Sequence, residues 1–250
     1  MAYYYKSLEH TSAMSELYSK EIEHSVENSI SFRQSRKVDF SIHPVNVNIV
    51  VEDLTTTNAI LKYKGYAALN FASYKNPGGS FGRPVVHLAQ EEYICKDSFL
   101  YNVISNEKFA QDYEWNKEHL NNGLYTNWCI FSKDVGFVNE NNELLAKADI
   151  LTCAAPNATE ALNHYPQIEI TNAMHRRIGF LLAVASRMGV KNIILGAFGC
   201  GVFGNDPFLV SLMFKWYLTH FNYGFENVVF AIPGGENYDK FKETFSTNEE

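Results

Sequence analysis

The second half of the chain alternates short apolar runs with stretches of helical spacing, and this rhythm restricts the fold more than any other feature. ADILTC (148–153), NIILGAF (192–198) and NVVFAI (227–232) are apolar, largely β-branched runs of strand length. A helical pattern spans 171–188 between the first two. A second spans 207–221 between the last two, with Pro207 in its first turn and Asn205 or Asp206 as its cap. Strand–helix–strand repeats of this length imply a three-layer α/β fold whose central sheet is parallel. Further strands are expected at VNVNIVV (45–51), GYAALNF (65–71) and CIFSKDVGFV (129–138), the last joined to 148–157 through the turn NENNELL. Helices are expected over 57–63, 88–104 and 237–245. Residues 7–35 read as one helix or two lying against the main body, and 105–128 as a loop or broken helix.

The chain has 250 residues, 46% of them apolar, enough for a full core in one domain with additions. Lys and Arg total 21 against 28 Asp and Glu, a formal charge of −7, which disfavours tracking a nucleic-acid backbone. A small phosphorylated ligand is not excluded, because backbone N–H groups hold phosphates without basic side chains. Cys95, Cys129, Cys153 and Cys200 form no CxxC pair and read as free thiols in a reducing, cytoplasmic compartment. The N-terminus lacks the apolar run of a signal peptide. The longest apolar stretch, 178–190, is interrupted by Ser186 and Arg187 and is too short to span a bilayer. No cluster suggests a metal.

Ligands of open α/β sheets bind beyond the carboxyl ends of the strands, so the loops there carry the functional reading. LGAFGCGVFGNDP places Gly196, Gly199, Gly201 and Gly204 directly ahead of a capped helix. Such a loop can turn N–H groups toward an anion, with the helix dipole behind them. It is neither the dinucleotide GxGxxG nor a GxxxxGK[ST] loop. Phe203, without an obvious core partner, is placed to cover a ribose or a base. The second loop is Asn76-Pro77-Gly78-Gly79-Ser80, followed after nine residues by Gln90-Glu91-Glu92 at a helix start. Adjacent carboxylates on a helix point about 100° apart, so they are not expected to flank one bond as a glycosidase pair does. One would do acid–base work and the other would hold substrate.

NFASYKNPGG…QEE with ILGAFGCGVFGNDP resembles the microbial-type poly(ADP-ribose) glycohydrolases, a branch of the macrodomain superfamily. SKEIEHSVENS resembles that family's N-terminal helical extension, and 125–157 and NVVFAI its central and last strands, so the resemblance covers nearly the whole chain. It implies an extension over 1–40 packed on a macrodomain-like catalytic unit over 41–250, with a mixed central sheet flanked by helices. It implies a hydrolase of the ribose–ribose O-glycosidic bond, working without cofactor or metal. Its partners would be ADP-ribose, poly(ADP-ribose) chains and ADP-ribosylated macromolecules; membrane and sequence-specific nucleic acid are not among them, and the protein would be a monomer. Residue by residue, the catalytic acid maps to Glu92 and the carboxylate that holds the ribose hydroxyls to Glu91. Asn76, Pro77, Gly78, Gly79, Ser80 and Gln90 approach the same ribose. Gly199, Cys200, Gly201, Val202, Phe203, Gly204 and Asn205 wrap the diphosphate. Asn237 and Tyr238 follow the last strand, where macrodomains line the adenine. A proton donor at neutral pH needs a raised pKa, which burial and the Glu91 charge would favour for Glu92.

Two departures from the family pattern bear on activity. Ser80 stands where the family has a third glycine, and the nine-residue spacer, with Pro84 and His87, is longer than in bacterial members. The alternatives are therefore an ADP-ribose reader with weak or no turnover, or a hydrolase of another ADP-ribosyl linkage. His87 reads as a surface residue and Cys200 as a loop residue rather than a nucleophile.

Overall fold

Seven strands form one mixed sheet in the computed structural model, which describes residues 2–33, 46–83 and 88–246. Helices α1 (Ala2–Leu17) and α2 (Ser19–Asn28) lead into β1 (Ile30–Arg33). Then follow β2 (Asn48–Glu52), α3 (Thr56–Lys62), β3 (Ala67–Phe71), α4 (Gln90–Lys96), α5 (Leu100–Ile104) and α6 (Ala110–Glu118). The long strands β4 (Trp128–Val138) and β5 (Leu144–Cys153) make a hairpin. The chain ends with α7 (Ala158–Ala161), α8 (Gln167–Arg187), β6 (Asn192–Leu195), α9 (Pro207–His220), β7 (Asn227–Ala231) and α10 (Glu236–Ser246).

The strand order is β1-β4-β5-β3-β6-β7-β2. From β5 to β2 all pairings are parallel, and β4 alone runs against its neighbours. Side-chain alternation divides the core between the two faces of the sheet. Leu69, Leu151, Ile193 and Val228 pack with Ile178, Leu181, Phe214 and Phe241. Their neighbours Ala68, Ile150, Ile194 and Val229 pack with Ile60, Ile94, Leu100 and Met14 on the other face. The long helix α8 buries Ile170, Met174, Ile178 and Leu181 along one stripe at helical spacing. Asp206 caps α9 by accepting from the Phe208 and Leu209 N–H groups, with Pro207 in the first turn as expected.

Two expectations change. Residues 30–33, read as helical, pair antiparallel with β4 from Ile30↔Phe131 to Arg33↔Trp128, because Ile30 and Phe32 alternate with polar neighbours on an edge strand. The N-terminal segment thus gives the sheet a strand as well as helices. The expected domain junction at residues 40 and 41, and Val45 of the next strand, lie outside the described residues. The helix expected over 88–104 breaks at 97–99: Ser98 leaves the helix to bridge Phe137 of β4, while its hydroxyl still donates to the Ile94 carbonyl. The region 105–128, read as a loop or broken helix, holds the nine-residue helix α6 between two short 3-10 turns.

Candidate active site

β3 and β6 are neighbours, and the chain leaves them in opposite directions. From β3 it runs toward α4 and the β4–β5 hairpin, and from β6 it runs through α9 to β7. Such a divergence opens a crevice at the strand ends. The Ser73–Ser80 loop forms one wall and the Gly196–Asn205 loop the other. The end of β3 packs against the second loop: a Cβ on Gly196 would sit 2.8 Å from the Phe71 ring, and Phe71 meets the Phe198 ring edge-on at 5.7 Å.

Both carboxylates of the QEE triplet are buried, Glu91 to 2% and Glu92 to 6% exposure. Glu91 Oε2 accepts from Ser73 N–H at 2.7 Å and Oε1 from the Asn70 amide at 3.2 Å. Glu92 folds back across the first turn of α4. Its Oε2 accepts from Ala89 N–H at 2.9 Å, and its Oε1 from Ser80 N–H at 2.8 Å. The two tips converge on Gly79. A Cβ there would lie 2.6 Å from Glu92 Oε1 and 2.9 Å from Glu91 Oε2. The expectation that neighbouring carboxylates diverge therefore fails at the tips, because each side chain is pulled to the glycine loop by backbone N–H groups. Gly78 and Gly79 both adopt left-handed backbone, φ +67° and +60°. Gly78 is pressed against Tyr101, which would lie 2.7 Å from an added Cβ.

Burial pushes the Glu91 carboxyl up to about 8, opposed by the Ser73 N–H and the Asn70 amide and reinforced by the Glu92 charge. The acid held protonated by burial is thus Glu91. The folded state keeps this proton up to about 8, whereas an unfolded chain releases it near 4.5. Its contribution to stability is complete below the lower value and disappears as pH climbs to the upper one. Glu91→Gln should flatten that decline, which amounts to roughly 5 kcal/mol at most. Urea unfolding of both proteins from pH 4.5 to 8.5 reads the slopes; equal slopes would remove the proton from Glu91.

Gln90 was expected to meet substrate, but its amide serves the protein. Oε1 accepts from Phe71 N–H at 2.8 Å, while Nε2 donates to the Leu69 carbonyl at 2.8 Å and the Thr56 hydroxyl at 3.0 Å. With both amide hydrogens engaged, Gln90 is a strut fixing α4 to the end of β3. Asn76 accepts from the Arg83 guanidinium at 3.2 Å, and Pro77 stands half-buried beside it. Ser80 contributes its N–H rather than its side chain. Its φ is outside the left-handed region, so a third glycine is not required there. Pro84 and His87 lie outside the described residues.

In the second loop, Gly199 (φ +75°) lies under Ala155, and Gly204 (φ +66°) under Thr159, each with its Cβ position 2.6 Å from the neighbour. Asn205 ties the loop shut, donating to the Pro156 and Gly199 carbonyls at 2.8 and 2.9 Å. Gly201 has open space at its Cβ position, and Val202 at the tip is 83% exposed. Phe203 does have a partner, contrary to expectation: Tyr125 meets it edge-on at 6.2 Å and stacks on Tyr74 at 4.4 Å. The α9 N-terminus is also not free for an anion, since Asp206 already occupies two of its N–H groups. Burial pushes the Cys200 thiol up to about 12, which removes it as a nucleophile at neutral pH. Asn237 and Tyr238 stand half-buried in the first turn of α10.

Asn70, Ser73, Tyr74 and Tyr125 were not anticipated. Asn70 alone had a sequence signal, as a polar residue inside the otherwise apolar strand AALNF. The cysteines of the chain are all free. Among the described residues no group of three His, Cys, Asp or Glu is placed to hold a metal ion, and no helix is long and apolar enough to cross a membrane.

A buried carboxylate pair under a glycine loop, at the parting of two parallel strands, defines an α/β-sheet crevice that holds candidate acid–base groups. The chain belongs to the family of microbial-type PARG catalytic domains, whose model matches residues 3–140 and so includes the Gln90–Glu92 triplet. Similar solved structures cover almost all of it. Poly(ADP-ribose) glycohydrolase from Thermomonospora curvata is 26% identical over 98% of this chain and 99% of its own, with a TM-score of 0.83. The same enzyme bound to the inhibitor ADP-HPD gives 25% identity, a TM-score of 0.81, and coverage of 97% and 98%. Poly(ADP-ribose) glycohydrolase from Deinococcus radiodurans in complex with ADP-ribose gives 27%, 0.76, 90% and 97%. A search of curated proteins by sequence found no match.

Proposed function

We propose that this protein hydrolyses the O-glycosidic ribose–ribose bond of poly(ADP-ribose) and releases ADP-ribose, on a macrodomain-like scaffold. The observation that carries this reading is the convergence of the Glu91 and Glu92 tips on Gly79, inside a crevice of the family's architecture. Glu92 is the acid–base group. It gives a proton to the departing ribose oxygen as the C1–O bond breaks, and an oxocarbenium-like centre forms. Water adds to C1, and its proton returns to Glu92, so the net change is addition of one water. Glu91 carries a proton at neutral pH. Its tip meets that of Glu92 at Gly79, where it would hold the ribose hydroxyls. The Ser73–Ser80 loop embraces the scissile ribose, and the Gly199–Asn205 loop offers backbone N–H groups to the diphosphate. The substrates would be polymer or ADP-ribosylated macromolecules, met by a cytoplasmic monomer.

Incubation with labelled polymer, followed by chromatography of released ADP-ribose, tests the activity. Because Glu91 loses its proton near 8 and then sets a negative charge beside Glu92 and the ribose, kcat/KM should fall above that value. A protein that binds ADP-ribose but releases none from polymer would be a reader, and the hydrolase assignment would be withdrawn.

A further inference from the structure

A second polar cavity of about 350 Å³ lies beside the candidate site, between the 121–127 segment, Tyr165 and α8. Its floor is Arg177, only 2% exposed. The Arg177 Nε donates to Asn127 Oδ1 at 2.8 Å, Nη2 to the Leu124 carbonyl at 3.2 Å, and Nη1 to the Ala154 carbonyl. A guanidinium has five N–H donors, so two remain in a cavity that this side chain lines. No carboxylate pairs with it among the described residues. A buried cation without a counter-charge is costly, and here the cost faces an opening.

The rim repeats the pattern. Arg176 is exposed and has no ion pair or hydrogen bond among the described residues. In a chain of net charge −7, two unpaired guanidiniums at one cavity select an anion. Tyr125 and Tyr165 supply aromatic surface. The wall is also held in costly backbone: Asn121, Asn122 and Tyr125 are left-handed, at φ 46°, 46° and 58°. Such conformations persist where the surroundings enforce them, and the Arg177 bond to Leu124 does so here. Among acidic groups, Glu160 acts on Tyr125 of this wall.

The cavity adjoins the crevice. Tyr125 touches Phe203 of the second loop and stacks on Tyr74 of the first, and the Tyr74 hydroxyl lies 2.6 Å from the Thr126 hydroxyl. We infer that the Arg176–Arg177 cavity is a second binding site for a phosphate-bearing nucleoside unit, the ADP-ribose that adjoins the scissile bond. This rests on the proposed hydrolase reading for its source of ligand. The guanidiniums would take the phosphate oxygens and the two tyrosines the flat or sugar portions of the unit.

The test uses Glu92→Gln protein, to keep polymer intact, with and without Arg176→Glu. Arg176 is exposed, so its replacement leaves the core alone; Arg177 is avoided because it braces three segments. Calorimetry compares monomeric ADP-ribose with a purified trimer. The expected result is a trimer Kd about tenfold below that of monomer, as one charge-assisted contact set provides. Arg176→Glu should erase the difference and leave monomer affinity unchanged. A trimer affinity unaffected by Arg176→Glu would overturn the second site. If Glu92→Gln still cleaves the trimer, the same contrast is read from KM with Arg176→Glu in the wild-type background. If neither ADP-ribose species binds, the hydrolase reading fails, and ADP alone then decides the cavity. Saturable ADP binding lost in Arg176→Glu would support it, and no saturable binding would overturn it.

Discussion

Turnover of poly(ADP-ribose) is expected to fall by about 10²–10⁴-fold when Glu92 becomes Gln, while the affinity for ADP-ribose should stay within about threefold of wild type. Gln matches the shape but cannot deliver a proton. It also cannot satisfy both of its neighbours, because Glu92 accepts from Ser80 N–H and from Ala89 N–H. One of those donors would face an amide NH₂, at a cost of about 1–3 kcal/mol. Thermal melting is therefore measured beside turnover, so that loss of chemistry is separated from loss of fold. Glu92→Ala removes the acceptor altogether and should be as inactive. Equal turnover in wild type and both variants would take the acid–base role away from residue 92. A wild type that binds but does not turn over would instead match the reader alternative, for which Ser80 and the long spacer before Gln90 are the sequence argument.

How far these features could be read from sequence varies with how local their causes are. The apolar runs of β3, β6 and β7 identify themselves, because a strand buried on both faces must be continuously apolar. The Asp206 cap and Pro207 identify the start of α9 for an equally local reason. The strand at 30–33 is less legible: four residues on a sheet edge, following directly on a helix, carry too little period to be separated from it. The carboxylate pair was located but its geometry was misjudged. Helical spacing fixes where Cβ atoms point, whereas the tips of Glu91 and Glu92 answer to N–H groups at Ser73, Ser80 and Ala89, two of which lie in a different loop. Ser80 looked like damage to a glycine motif. The structure gives the position a backbone task that a serine performs as well. Tyr125 and Arg177 had no signal at all, since their partners Phe203, Tyr74 and Ala154 are distant in sequence and meet only when the sheet forms.

Gly79→Ala is expected to lower turnover by about 10²-fold, the loss associated with a catalytic group displaced by an ångström. The new methyl would sit 2.6 Å from Glu92 Oε1 and 2.9 Å from Glu91 Oε2, both inside contact distance. Neither carboxylate can yield freely. Glu92 is held at both oxygens by backbone donors, and Glu91 by Ser73 N–H and the Asn70 amide. Alanine also pays for left-handed backbone at φ +60°, about 1–2 kcal/mol. That second cost is isolated by Gly82→Ala. Gly82 has φ +78° and nothing within 4 Å of its Cβ position. Its replacement should lose a similar amount of stability while keeping turnover within about twofold. The two variants, measured side by side for melting temperature and for release of ADP-ribose, therefore separate backbone strain from crowding of the acids. If both lose activity equally, the loop matters only for its conformation. If only Gly79→Ala does, the bare Cα of residue 79 is what lets two carboxyl tips share one corner.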